Sequence, residues 1–183
     1  MKHGSRRRKA RNGFTLLECM IAMAVLSFGI LSLVSVFTQG LKNSSQSQVQ
    51  FIAQQKVRQA METVFTARNT QVLTFAQIQN VSHGGVFLDG PQPLCDPGPD
   101  GLYGTGDDNC ALGDTIIVGP GPDNVFGTAD DQAIPLNPWM TRTITITPDP
   151  NTPNLNHITV TITWVYQGQT GSFSVSSFVS NYS

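Results

Sequence analysis

One stretch limits what this chain can become: Phe14 to Phe37, FTLLECMIAMAVLSFGILSLVSVF, 24 residues whose only charge is Glu18. A run that long and apolar can cross a bilayer as a helix. Placing a carboxylate in hydrocarbon costs about 2.5 to 3.5 kcal/mol on insertion scales, so Glu18 requires a partner and is a functional-site residue by default. Ahead of the run, MKHGSRRRKARNG carries six Lys or Arg and ends in Gly13. Positive charge beside a span marks the cytoplasmic side, so the expected topology has the N-terminus inside and everything after Phe37 outside. A secretory signal peptide fits poorly. Its apolar region is roughly 7 to 15 residues and ends at a small-residue cleavage site, whereas this run leads into TQGLKNSSQ without an A-x-A pattern.

The stretch RNGFTLLE joins a basic leader ending in Gly13, then Phe14, then Glu18 at the fifth position after the glycine. It resembles the processing site of type IV prepilins and of the pseudopilins of type II secretion. The specific likeness covers Arg11 to about Phe37. It implies that a prepilin peptidase cuts between Gly13 and Phe14 and methylates the new amine of Phe14. It also implies that Glu18 serves assembly with other pilin or pseudopilin subunits through the N-terminal helix. The inner membrane would hold the chain first, and a pilus or periplasmic pseudopilus later. The segments AMAVLSFGILSL, ITVTITW and GSFSVSSFVSNY resemble minor pilins of the initiating type. The chemistry of Glu18 also stands without the family. Cleavage creates a cation at a helix N-terminus, where the helix dipole opposes it, and a carboxylate neutralises it. That carboxylate can come from the same chain, one turn away, or from a neighbouring subunit.

Six of the 11 basic residues lie in the leader, leaving 5 against all 12 acids, a net charge of −7 for the mature chain. So acidic a chain is a poor candidate for nucleic acid, which needs Lys and Arg to displace counterions. The residues after the anchor suffice for one domain with a modest core.

From Val49 the apolar positions Val49, Ala53, Val57, Ala60, Val64 and Ala67 repeat at helical spacing, with Ile52, Met61 and Phe65 widening the stripe. The pattern predicts one helix from Phe14 to about Arg68, roughly 80 Å at 1.5 Å per residue. Gly29, Gly40 and the run Asn43 to Ser47 are weak helix formers and mark a candidate bend or melted segment. A short helical turn is expected over Thr74 to Asn80, and short strands over Gly85 to Leu88 and Thr115 to Val118. The rest of the region from His83 to Pro138 is rich in Gly, Pro and Asp and reads as turns.

Within it lies an internal repeat. PGPDGLYGTGDD (97–108) and PGPDNVFGTADD (120–131) share Pro-Gly-Pro-Asp, an aromatic, Gly-Thr and a closing Asp-Asp. Nine Asp and no Lys or Arg lie between Arg68 and Arg142, a density that repels itself unless water, salt or a cation offsets it. Two readings stand. In one, each repeat binds calcium, a taker of six to eight oxygen ligands, through Asp100, Asp107 and Asp108 in the first copy and Asp123, Asn124, Asp130 and Asp131 in the second. In the other, these are solvated turns with Asp chosen for Asx geometry. The spacing is not that of an EF-hand, although it is similar to Asp-rich calcium loops of bacterial secreted proteins. Cys95 and Cys110 bracket the first copy, and outside the membrane they are expected to form a disulfide worth about 3 kcal/mol in the chain-entropy model. Cys19 sits in the anchor as a small apolar residue. Two cysteines with a distant His83 lack zinc-ligand spacing.

TRTITITP (141–148), NHITVTITWVY (156–166) and TGSFSVSSFVS (170–180) alternate Thr or Ser with apolar residues, and predict three strands. Gln167-Gly168-Gln169 is a tight hairpin turn. The expected inward set is Ile144, Ile146, Ile158, Val160, Ile162, Trp164, Phe173, Val175 and Phe178. The fold class is therefore α+β: a long N-terminal helix on a C-terminal antiparallel sheet, with a long Asp/Gly/Pro-rich loop region. The expected divisions are 1–13 leader, 14–37 assembly helix, 38–68 outer helix, and 69–183 head, containing loops 96–131 and sheet 141–180. His83 and His157 are isolated, and no P-loop, nucleophile elbow or HExxH pattern points to catalysis. Two function classes follow: a filament subunit, or a membrane-anchored, calcium-dependent binding or adhesion module.

Overall fold

A computed structural model describes residues 15–111 and 113–181. Helix α1 runs from Leu16 to Asn69, 54 residues, with the assignment unbroken through Gly29, Gly40 and Asn43 to Ser47. The candidate melted segment therefore does not form. The chain divides into two compact units, residues 1–45 and 46–183.

In the first unit the apolar side chains of α1, Leu16 through Leu41, are exposed. Four of the hydroxyls in this unit are satisfied locally. Ser27, Ser32, Thr38 and Ser45 each donate a hydroxyl to a carbonyl of the preceding turn, Met23, Gly29, Val34 and Leu41 respectively, at 2.8 to 3.1 Å. This back-bonding removes the need for a water partner, which a hydrocarbon solvent cannot supply.

In the second unit the rest of α1 buries Val49, Ala53, Val57, Ala60, Met61, Val64 and Ala67. Alanines at seven-residue intervals, 53, 60 and 67, leave room for close approach of the helix to what it covers. A four-stranded antiparallel sheet supplies the opposite wall, in the order β1-β4-β5-β6, where β1 is Gln92–Pro93, β4 is Met140–Pro148, β5 is Leu155–Tyr166 and β6 is Gln169–Ser180. The long strands match the predicted ones to within a residue at each end. Gln167 (φ 49°) and Gly168 (φ 75°) both adopt positive φ, so β5 and β6 join through a two-residue turn.

Register sorts the side chains by face. Ile144, Val160 and Val175 align across the sheet, as do Arg142, Ile162 and Phe173. Ile144, Ile146, Ile158, Val160 and Ile162 are buried in the core with the helix stripe, and Trp164, Phe173 and Val175 pack against it. Phe178 is a correction to the expected inward set. It pairs with His157, lies three residues from Val175 on the other parity, and is exposed, while Val179 takes the inward place. The outward face carries hydroxyls instead: Thr159 pairs with Ser176 at 2.9 Å and Thr161 with Ser174 at 2.8 Å.

Between helix and sheet strands the chain is mostly irregular. The expected helical turn is a 3-10 turn, Phe75–Gln77. Gly85 to Leu88 is not a strand, because Phe87 makes only an isolated bridge with Asn80. Strand β2 (Thr115–Gly119) pairs with β3 (Gln132–Pro135) in a separate two-stranded hairpin, which holds the second repeat at its tip. The register of β1 with β4 reaches only Thr141 and Arg142. Beyond it the buried side chain of Asn80 acts as a short strand would: its amide donates to Ile144 O at 2.8 Å and its Oδ1 accepts Ile146 N–H at 2.7 Å. Asn156, also buried, likewise donates to Ile78 O at 2.9 Å.

Replacing Asn80 leaves buried backbone groups of β4 without partners, each worth about 1 to 3 kcal/mol. Asn80→Leu is therefore expected to destabilise the protein by roughly 2 to 4 kcal/mol, measured by chemical denaturation with an unchanged m-value; a loss below that of a surface substitution contradicts the edge role.

Candidate functional site

The two aspartate repeats fold into the same loop. In the first, Asp100 Oδ1 accepts Leu102 N–H at 2.8 Å, Asp107 Oδ2 accepts Asp100 N–H at 3.3 Å, and Asp108 Oδ2 accepts Gly104 N–H at 2.8 Å. In the second, Asp123 Oδ1 accepts Val125 N–H at 2.8 Å, Asp130 Oδ2 accepts Asp123 N–H at 3.3 Å, and Asp131 Oδ2 accepts Gly127 N–H at 2.7 Å. The threonines correspond too: Thr105 donates to Asp107 Oδ1 at 2.8 Å and Thr128 to Asp130 Oδ1 at 2.6 Å. A glycine is required where each loop closes on itself. A Cβ at Gly98 would lie 2.4 Å from Asp107 Cγ, and one at Gly121 2.4 Å from Asp130 Cγ.

The carboxylates thus act first as acceptors for their own turns. These bonds explain why both copies keep the acids as well as the glycines. Among the described residues, no three His, Cys, Asp or Glu side chains are grouped to hold a metal ion. Asn124 occupies positive φ, 57°, as a turn residue.

The first copy is tied into the head in three ways. Cys95 and Cys110 form the expected disulfide, with Cα atoms 4.6 Å apart. Leu102 and Tyr103 are buried, and Gln59 of α1 donates its amide to the Tyr103 hydroxyl at 2.5 Å. Arg142, on the inward face of β4 and 2 % exposed, places its guanidinium 4.4 Å from the centroid of the Tyr103 ring and donates to Cys95 O at 3.3 Å. Burial lowers the Arg142 pKa from its ordinary value, opposed by the negative charges of Asp108 and Asp114. Lys56 of α1 pairs with the buried Asp114 at 2.5 Å. The cations that offset the acidic region therefore include two of the protein's own. Sequence reasoning missed both, although an Arg at an inward parity of an alternating strand was the signal for Arg142.

At the other end of α1, Thr15 Oγ1 accepts the N–H of Glu18 at 3.3 Å, closing the first helical turn. Glu18 is exposed, in the turn where an acid meets the positive end of the helix dipole. Gly13 and Phe14, the expected cleavage and methylation positions, lie outside the described residues. Helix α1 contains an 18-residue window of mean hydropathy 2.4, long and apolar enough to cross a membrane.

Residues 8–34 match the model of the prokaryotic N-terminal methylation motif. Over that stretch the chain is similar to type IV prepilins. No curated protein and no solved structure matches it. The motif spans the end of the basic leader from Arg8, then Gly13, Phe14, Glu18 and most of the apolar run. A long helix with an antiparallel sheet is the pilin-like layout, and the motif implies processing by prepilin peptidase and assembly with other pilins.

The loop geometry separates the acids of the pilin-like head by their ionisation. The hydrogen bond from Thr105 is the main cause holding the Asp107 pKa below the ordinary carboxylate value, and that from Thr128 does the same for Asp130. Burial pushes Asp108 above that value. A depressed carboxylate contributes stability present above its unfolded pKa and lost as pH falls through its folded pKa; a raised one has the opposite sign. On acidification Asp107 and Asp130 therefore weaken the loops below about pH 4, and Asp108 opposes them. Carboxyl-carbon NMR titration is expected to order the midpoints Asp107 and Asp130 below Asp108, and Thr105→Val to raise the midpoint of Asp107 while leaving Asp130 in place.

Proposed function

We propose that this protein is a minor subunit of a type IV pilus. It inserts in the inner membrane as a prepilin, is cut after Gly13, is methylated at Phe14, and assembles through its N-terminal helix. The observation that carries this reading is one acid, Glu18, at the fifth position after Gly13 in an otherwise uncharged apolar run matched by the methylation motif. Cleavage frees the Phe14 amine at the positive end of a helix, where a carboxylate neutralises it. In the proposed assembly Glu18 of one subunit takes the amine of the next, so each interface removes a charge from hydrocarbon. A type II secretion pseudopilin uses the same chemistry, and differs in where the filament stops. The head supplies the outer surface and no reaction.

Mass spectrometry of the protein from its native cells is expected to find a chain beginning at N-methylated Phe14; an intact Met1 leader rejects the reading. Without the Glu18 carboxylate the Phe14 amine of the next subunit is left unpaired, and an unpaired intramembrane charge costs about 2.5 to 3.5 kcal/mol, on the order of 10²-fold in an equilibrium. Glu18→Ala is accordingly expected to lower incorporation into filaments by that order while leaving membrane insertion intact. Undiminished incorporation would reject the pairing role of Glu18.

Calcium binding by the repeats is the second reading, favoured by Asp131, whose Oδ1 is buried without a hydrogen-bond partner. On that reading EDTA lowers the melting temperature of the full chain and calcium restores it. An unchanged temperature leaves the acids as turn acceptors alone.

A further inference from the structure

The two repeats share one backbone design but not one environment. In the first copy Leu102 and Tyr103 are 3 % and 6 % exposed; in the second the equivalent pair, Val125 and Phe126, is 55 % and 65 % exposed. The first copy shows what such a pair seats against: an apolar surface, with a guanidinium over the ring. The second copy presents the same pair at the tip of the β2–β3 hairpin, among Asp123, Asp130 and Asp131 and without a basic residue between 68 and 142.

A surface of matching chemistry exists elsewhere on the head. Phe65, Arg68, Asn69 and Gln71 of α1 and its end, with Phe178, Val179 and Ser180 of β6, line a groove of about 330 Å³. Phe65, partly buried, and Phe178, 55 % exposed, set two aromatic rings into walls that are otherwise mostly polar. Arg68 donates from one terminal nitrogen to Ser180 O at 3.2 Å, while its Nε is buried without a partner, and no carboxylate pairs with it among the described residues. The groove thus offers what suits the acidic, aromatic tip: two phenylalanine rings and a guanidinium that no carboxylate pairs with among the described residues. Phe126 has no hydroxyl, so its seat needs no counterpart to Gln59.

We propose that the hairpin tip of one copy, led by Phe126, docks in the Phe65–Arg68–Phe178 groove of a second copy. The contact is heterologous, joining different surfaces on its two partners. Aromatic-to-guanidinium contact and opposite charge supply the recognition. The inference is read from the head alone and does not depend on what Glu18 does in the anchor.

Photocross-linking of the full chain in detergent micelles tests it. Phe126 is replaced by p-benzoyl-phenylalanine, and ¹⁴N and ¹⁵N copies are mixed before irradiation. Mixed-isotope peptides joining position 126 to the segments around Phe65–Gln71 or Phe178–Ser180 are expected. Arg68→Glu is expected to reduce their yield at least tenfold. Should that variant melt early, the unaltered groove is tested by salt: the yield is expected to fall several-fold between 50 mM and 500 mM NaCl. Cross-links confined to a single copy, mapped to another surface, or indifferent to both Arg68→Glu and salt overturn the proposal. So does a cross-link in native cells made only to a different protein.

Discussion

The head depends on where two of its cations sit, Arg142 buried and Lys56 half-buried. Arg142 comes from a sheet strand and Lys56 from the helix, and together they face Tyr103, Asp108 and Asp114 of the acidic segment. That segment has little regular structure and nine carboxylates between Arg68 and Arg142, so self-repulsion works against folding it down onto the core. A guanidinium inside the apolar layer is itself costly unless its charge is answered. Each problem offsets the other: the acids answer the buried charge of Arg142, and Arg142 draws the first repeat inward, under the Tyr103 ring. The disulfide then fixes the loop that this balance has already placed.

Most of the scaffold could be read before any coordinates. The helix stripe from Val49 to Ala67, three alternating strands and a Gln-Gly turn follow from periodicity, because one face of each element must be dry. What escaped reading was contact at long sequence separation. Asn80 completes the edge of β4 some 64 residues away, and nothing local distinguishes it from any other loop asparagine. Strand β3 reads as an irregular Pro-flanked run, since its partner β2, not its own pattern, makes it a strand. Phe178 misled by its hydrophobicity, when parity along β6 decided its face. The site divides in the same way. Glu18 stands out in sequence because an acid is conspicuous among apolar neighbours. The roles of the repeat carboxylates emerge only from the bonds they make to their own turns.

Anchor and head follow different solvent rules within one chain. In residues 16–45 hydroxyls turn back onto the helix and apolar chains face outward. From Val49 the helix instead buries small and branched residues against a sheet. A filament subunit needs both, one surface that lipid and neighbouring helices accept and one that water accepts.

The ladder of threonine and serine on the outer side of the sheet carries a consequence for durability. Threonine gives a strand its branched, extended preference without grease, so the dry interior lies on the other side, between the sheet, the helix and loop residues such as Phe87, Leu94 and Tyr103. A protease that clipped between Val49 and Ala67 would strip the helix's share of the cover from the inward strand residues at once. Such a head is built to last as long as its tether, and no longer.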